Sequence, residues 1–153
     1  SSSEESAMKK STAFLLLLWL MLIAVRTGQA QQIAVIAHKS VSADTLTAAR
    51  LLDLYTCDVQ AWSDDQPVVV FDLKPRTAVK EAFYRFIGKS PSRMKSVWMK
   101  KMLSGEGDPP TSLKTEEELL RKVAATPGAI GYVDKTRVDD QVKMLLVIDP
   151  KKR

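Results

Sequence analysis

Apolar and polar positions change period repeatedly along this chain. Ile33-Ala34-Val35-Ile36-Ala37 is an unbroken apolar run rich in β-branched residues, which predicts a buried strand, and Lys39-Ser40 opens the polar connection after it. From Ser42 the repeat lengthens: Leu46, Ala49, Leu51 or Leu52, and Tyr55 recur at helical spacing. Ser42, Asp44 and Thr45 are the candidate N-caps of that helix, which should end near Thr56. Pro67 then opens Val68-Val69-Val70-Phe71, whose continuous apolarity predicts a central strand covered on both faces. Helical spacing returns over residues 77–87, where Val79, Phe83 and Phe86 or Ile87 share one face.

Ser90-Pro91 reads as an N-cap followed by proline at the first helical position, with Met94, Val97, Trp98 and Met102 forming the apolar stripe behind it. Lys95, Lys100 and Lys101 are expected to face water. Residues 104–111, with two glycines and two prolines, predict a loop. Thr115-Glu116-Glu117-Glu118 starts a further helix with its acids near the positive end, and Leu119, Leu120, Val123 and Ala124 supply its core face. Pro127-Gly128 ends it. Residues 129–133 and 142–148 are the last two strands, with a charged connection between them. Alternating strands and helices predict an α/β layer, with a largely parallel central sheet of about four strands flanked by helices.

The N-terminal part reads differently. Met8-Lys9-Lys10, the apolar run of residues 13–25 and the small-residue stretch Thr27-Gly28-Gln29-Ala30 have the three regions of a secretory signal peptide, with cleavage expected after Ala30. As a helix the run would reach about 20 Å, short of the roughly 30 Å hydrocarbon core of a bilayer. Arg26 directly behind it leaves an uncleaved membrane tether as the alternative. Residues 1–7 are expected to be a disordered extension, residues 8–30 the signal peptide, and residues 31–153 one domain, since no Gly/Ser-rich or Pro-rich linker divides them.

Removing Lys9, Lys10 and Arg26 together with Glu4 and Glu5 takes the formal charge from +5 to +4, so the mature chain is mildly basic. Its cations alternate with acids along the predicted helices, which argues against a nucleic-acid groove. Cys57 is the single cysteine, so no intrachain disulfide can form, and His38 is the single histidine. No sequence cue pairs the two, and no metal-ligand cluster, nucleophile constellation or phosphate loop is present, so neither catalysis nor a cofactor is expected.

Thr126-Pro127-Gly128-Ala129-Ile130-Gly131-Tyr132-Val133 resembles a signature of phosphate-type ABC-transporter substrate-binding proteins. Leu52-Asp53-Leu54-Tyr55 followed by Trp62, Val68-Val69-Val70 leading into Thr77, Gly88-Lys89-Ser90-Pro91, Trp98 and Gly105-Glu106-Gly107-Asp108-Pro109-Pro110 are similar to further segments of that family and of its short relatives. Together they cover residues 33–147 in the family's order. The resemblance implies an α/β fold that is one lobe of a type 2 periplasmic-binding protein, in an exported, non-enzymatic chain. It implies phosphate or another oxyanion as ligand, and an ABC transporter or envelope protein as partner. A homodimer is the further possibility, because the sequence of a second lobe is missing.

In that family, phosphate lies between two lobes, held by main-chain N–H groups at helix starts, by hydroxyls and by an arginine. The matching place here is Lys74-Pro75-Arg76-Thr77, with Thr77 at the family's hydroxyl position. The pattern then departs: Ala78-Val79 stands for Gly-Thr, and Asp72 stands where the arginine is expected, an acid that would repel an oxyanion beside it. Lys74 and Arg76 either compensate or are exposed loop cations. Lys39, Ser40 and Ser42 mark the other place where such a lobe could present donors. Gly128 and Gly131 carry structural readings, a left-handed helix exit and a close backbone approach. Tyr132 lines the cleft or packs inside, and Cys57 stands where relatives place glycine at a helix exit. The alternative function is a scaffold that binds no small ligand and uses the former cleft face for dimerisation or docking.

Overall fold

The computed structural model describes residues 2–24 and 31–152, in two compact units, Ser1–Ala30 and Gln31–Arg153. Arg26, the expected cleavage after Ala30 and the terminal Arg153 lie outside the described residues.

The first unit contains one helix, α1 (Ser2–Ala24). Residues 2–7, expected as a disordered extension, are helical. Glu4 and Glu5 fall in the first turn, where carboxylates meet the positive end of the helix dipole. Among the described residues, no helix is long and apolar enough to cross a membrane.

In the second unit the order is β1 (Ile33–Ala37), α2 (Ala48–Tyr55), β2 (Val69–Leu73), α3 (Ala78–Ile87), α4 (Pro91–Leu103), β3 (Thr111–Leu113), α5 (Glu116–Ala125), β4 (Ala129–Asp134), a 3-10 turn (Lys135–Arg137) and β5 (Lys143–Ile148). One five-stranded sheet runs β3-β2-β4-β1-β5. β2 is parallel to β3 and β4, whereas β1 is antiparallel to both β4 and β5. Four strands therefore point one way and β1 alone is reversed. The fifth strand, β3, begins at the end of the expected loop and needs only three residues to add an edge to β2.

Every residue of β1 is buried, as its unbroken apolarity requires of a strand with neighbours on both sides and helices on both faces. Along β4 the two faces can be told apart. A Cβ on Gly131 would come within 2.6 Å of Leu119 in α5, while the ring of the next residue, Tyr132, stacks on Phe83 of α3 at 4.0 Å. Successive strand residues point to opposite faces, so α5 covers one side and α3 the other. Tyr55 places α2 beside α3, its ring 4.9 Å from Phe83. The Trp98 indole donates to Tyr55 O at 2.7 Å, which docks α4 on α2.

Helix ends follow their caps. Thr47, Thr77, Ser90 and Thr115 each accept a backbone N–H from the residue three positions on. Thr47, rather than Ser42, Asp44 or Thr45, caps α2, so that helix starts later than its apolar period suggests. The intervening segment is held instead by Leu46, which is buried, and by Lys143, which donates to Val41 O and pairs with Asp44 at 2.8 Å. Gly128 has φ +77°, and a Cβ there would lie 2.2 Å from Pro67 O, so both backbone and space demand glycine.

Candidate functional site

The carboxyl ends of β2, β3 and β4 share one edge of the sheet, the edge at which open α/β sheets present ligands. From β2 the chain passes through Lys74-Pro75-Arg76 into α3, and from β3 through Lys114 into α5. Two helix starts thus lie at this edge, on opposite faces of the sheet. They differ in charge. The first turn of α5 carries Glu116, Glu117 and Glu118, and its carboxylates are already engaged: Glu118 accepts from Lys114 N at 3.3 Å and Glu116 from Asp134 N at 2.6 Å. A further anion there would meet like charge. The first turn of α3 has Glu81 as its single acid, and two cations precede it.

Thr77 has extended backbone (φ −105°, ψ 165°), and its Oγ1 accepts from Lys80 N at 3.2 Å. That bond satisfies one of the orphan N–H groups of the helix start and leaves the others directed outward with the positive end of the dipole. Lys74 is anchored by its main chain, whose N–H donates to Leu113 O at 2.8 Å. The side chains of Lys74 and Arg76 are exposed, and among the described residues neither forms an ion pair. Lys74, Arg76 and Thr77 therefore form one group, two unneutralised cations and a hydroxyl at a helix start.

Lys39, Ser40 and Ser42 do not join them. Because β1 runs against its neighbours, its carboxyl end, Ala37, pairs with Ile130 and Lys143 at the amino ends of β4 and β5. The three residues thus follow at the opposite edge of the sheet. Ser40 Oγ accepts from Gln66 Nε2 at 2.9 Å and from Gly128 N at 3.2 Å, and lies 2.7 Å from His38 Nδ1. Ser42 Oγ lies 3.2 Å from Ser63 Oγ. Lys39 is exposed beside them. These contacts tie a loop to the helix exit at Gly128, and the expected second set of anion donors is not assembled with the first.

Asp72 is the main correction to the picture drawn from the sequence. It is 1% exposed and turned inward, so it does not present its carboxylate to solvent at the sheet edge. Tyr84 and Tyr132 each donate a phenolic hydrogen to it at 2.6 Å, and Leu73 N donates at 2.9 Å. Lys80 Nζ lies 3.8 Å from the carboxylate and donates to Leu73 O at 2.5 Å. Burial first, and then the Asp72 charge, hold both phenols well above the ordinary tyrosine range. Asp72 thereby behaves as an internal anion with its own donor shell. The sequence left Tyr132 open; it packs inside. Lys80 is not marked by its immediate sequence, although its place beside Val79, Phe83 and Tyr84 on the buried face of α3 is the signal that such a charge needs a partner.

Cys57 takes the glycine-like backbone that its position demands, with φ +66°, and its Sγ contacts Asp108 O at 3.2 Å. Burial raises its thiol above the usual range, the opposite of an activated nucleophile. Among the described residues, no group of three or more His, Cys, Asp or Glu side chains is placed to hold a metal ion. A cleft of about 320 Å³ lies between Val68-Val69-Val70 and Asp108-Pro109-Pro110, lined also by Cys57, and includes none of the six candidate site residues.

No family model matches the chain, and no curated protein matches it in sequence. Solved structures do match. A protein from Clostridium perfringens, assigned as a phosphate ABC-transporter substrate-binding protein and solved with bound phosphate, is similar over 75% of this chain and 44% of its own, with TM-score 0.63 and 23% identity. An ABC-type phosphate transport receptor from Vibrio cholerae is similar over 75% of this chain and 45% of its own, with TM-score 0.59 and 15% identity. PstS from Borrelia burgdorferi is similar over 75% and 46%, with TM-score 0.57 and 14% identity. This chain spans less than half the length of each. Its second unit carries the fold of a single-lobe-sized part of phosphate ABC-transporter substrate-binding proteins.

Proposed function

We propose that this chain is an exported, non-enzymatic, solute-binding-like protein with a shallow oxyanion site at the start of α3, acting in connection with phosphate uptake. The observation that carries the reading is the group Lys74, Arg76 and Thr77. Two cations without carboxylate partners flank a helix start, at the sheet edge where this fold presents ligands. Arg76 offers a planar two-donor fork, Lys74 a point charge, and the first turn of α3 its N–H groups. The likeness to a protein solved with bound phosphate supports the ligand class. Affinity is low in this reading, because one lobe covers one side of an anion and Asp72 replaces the arginine expected at the strand end.

Export follows from the lysine pair, apolar run and small-residue stretch of residues 8–30, with cleavage after Ala30 releasing Gln31–Arg153. N-terminal sequencing of the mature protein checks that step.

The second reading is a docking lobe that binds no small ligand and covers its cleft face with an envelope protein or a second copy. Asp72 favours it, since the acid that replaces the arginine is committed to the core and lends nothing to a ligand. Isothermal titration of Gln31–Arg153 with phosphate and with sulfate at low salt, beside the double variant Thr77→Ala/Arg76→Ala, decides between them. Saturable binding that the double variant loses supports the oxyanion site. No heat up to millimolar anion supports the docking lobe.

A further inference from the structure

α4 presents a second surface that the anion site does not use. Its buried side is Met94 and Trp98, and its opposite side carries Met99, 59% exposed, and Leu103, 80% exposed, with Met102 beside them at 49%. Three large apolar side chains on one solvent-facing strip of a thirteen-residue helix are more than a folded surface needs. The charge of the helix is one-sided: residues 91–103 contain Arg93, Lys95, Lys100 and Lys101 and no acid. Lys101 is turned back toward the body and neutralised by Asp58 at 2.7 Å and Glu106 at 3.5 Å. Arg93, Lys95 and Lys100 are exposed, flank the apolar strip, and form no ion pair among the described residues.

We propose that this face of α4 docks on an anionic lipid surface. Two features select that occupant over a protein partner. The strip is a convex ridge of one helix: the shallow depression on it is lined by Ser96, Met99, Lys100, Leu103 and Ser104, with no second element forming a wall. A partner helix needs a groove, whereas the headgroup region of a bilayer yields around a ridge. The arrangement is also that of an interfacial helix, with Met99 and Leu103 entering the headgroup boundary while Lys95 and Lys100 extend their stems sideways to anionic headgroups. A lobe held in this way stays at the membrane after release from its N-terminal segment.

The test is cosedimentation of Gln31–Arg153 with phosphatidylcholine vesicles and with vesicles containing phosphatidylglycerol. Among the described residues, all buried hydrophobic residues of the core lie between Ile33 and Ile148, so the unit carries its own core, and leaving out the apolar α1 removes a trivial route to the lipid. The expected result is binding to the anionic vesicles that weakens with salt. Lys95→Gln/Lys100→Gln should lower the partition about five-fold for each charge removed. Met99→Ser/Leu103→Ser should lower it by roughly ten-fold or more. These four positions are on the surface, so thermal melts of the variants should match that of the parent. Absence of binding to anionic vesicles at low salt overturns the proposal, as does binding that neither double variant changes. Loss caused instead by Lys74→Gln/Arg76→Gln would place the lipid at the sheet edge. Self-association abolished by Met99→Ser/Leu103→Ser, without vesicle binding, would assign the face to a second copy.

Discussion

Asp72 gathers two phenols, a main-chain N–H and an ammonium around one buried carboxylate. Such a group is costly to desolvate, yet once paired it is more costly to disturb, because removing one partner leaves the other charge buried alone. Asp72→Asn should therefore destabilise the lobe by about 3 kcal/mol or more: the amide oxygen cannot serve both phenols as the carboxylate does, and Lys80 loses its counter-charge. Urea unfolding of the two proteins measures this, and a loss below about 1 kcal/mol would mean that Lys80 is free to reach water. Gly128 is the second residue with no substitute. Alanine there must hold a left-handed backbone and also displace Pro67 O, so Gly128→Ala should cost at least about 2 kcal/mol. Gly88 has the same sign of φ but open space around its Cα, so Gly88→Ala should cost about 1 kcal/mol, which makes it the control for the steric part.

At the scale of elements, α3 owes its position to a cap that a candidate ligand would share. Thr77→Ala should lower stability by about 1 kcal/mol while Thr77→Ser leaves it nearly unchanged, as read from thermal melts. Loss of anion binding in Thr77→Ala thus has meaning only where the melt shows the lobe still folded. Most elements were legible because their boundaries are chemical: proline at the first position of α4, a threonine followed by three glutamates at α5, and an unbroken apolar run at β1. β3 was not, since three residues of ladder carry no period and exist only because β2 lies alongside. The start of α2 was missed for a related reason, Leu46 being buried without being helical. The grouping of the six candidate residues was legible in half. Lys74, Arg76 and Thr77 follow one another in the chain and so stay together, whereas the separation of Lys39, Ser40 and Ser42 from them depends on the direction of β1. No local pattern encodes that direction. The inward turn of Asp72 likewise depends on Tyr132, sixty residues away along the chain, arriving in β4 beside it.

At the scale of the whole molecule, one aromatic assembly joins the central strands to the helices above them, and its chemistry gives the lobe a defined response to alkali. Tyr55, Tyr84 and Tyr132 are buried around Phe83 and Asp72, with Tyr55 donating to Phe71 O at 2.8 Å. All three phenols are held well above their ordinary range, by burial first and by the Asp72 carboxylate second. In the unfolded chain each releases its proton near pH 10, whereas in the native lobe each keeps it. The native state therefore binds more protons than the unfolded state above that pH, and stability must fall as pH rises. The contribution is fully present below about pH 10 and declines above it by ~1.4 kcal/mol per pH unit for each tyrosine. Urea midpoints of Gln31–Arg153 should accordingly be flat in this respect up to about pH 9 and drop steeply between about pH 10 and 11. Phenolate absorbance from these three residues should appear together with unfolding and not before it, and Tyr84→Phe should make the decline shallower by about one third. Phenolate formation well ahead of the unfolding transition would mean that water reaches the Asp72 cluster in the native state, and that α3 does not seal it.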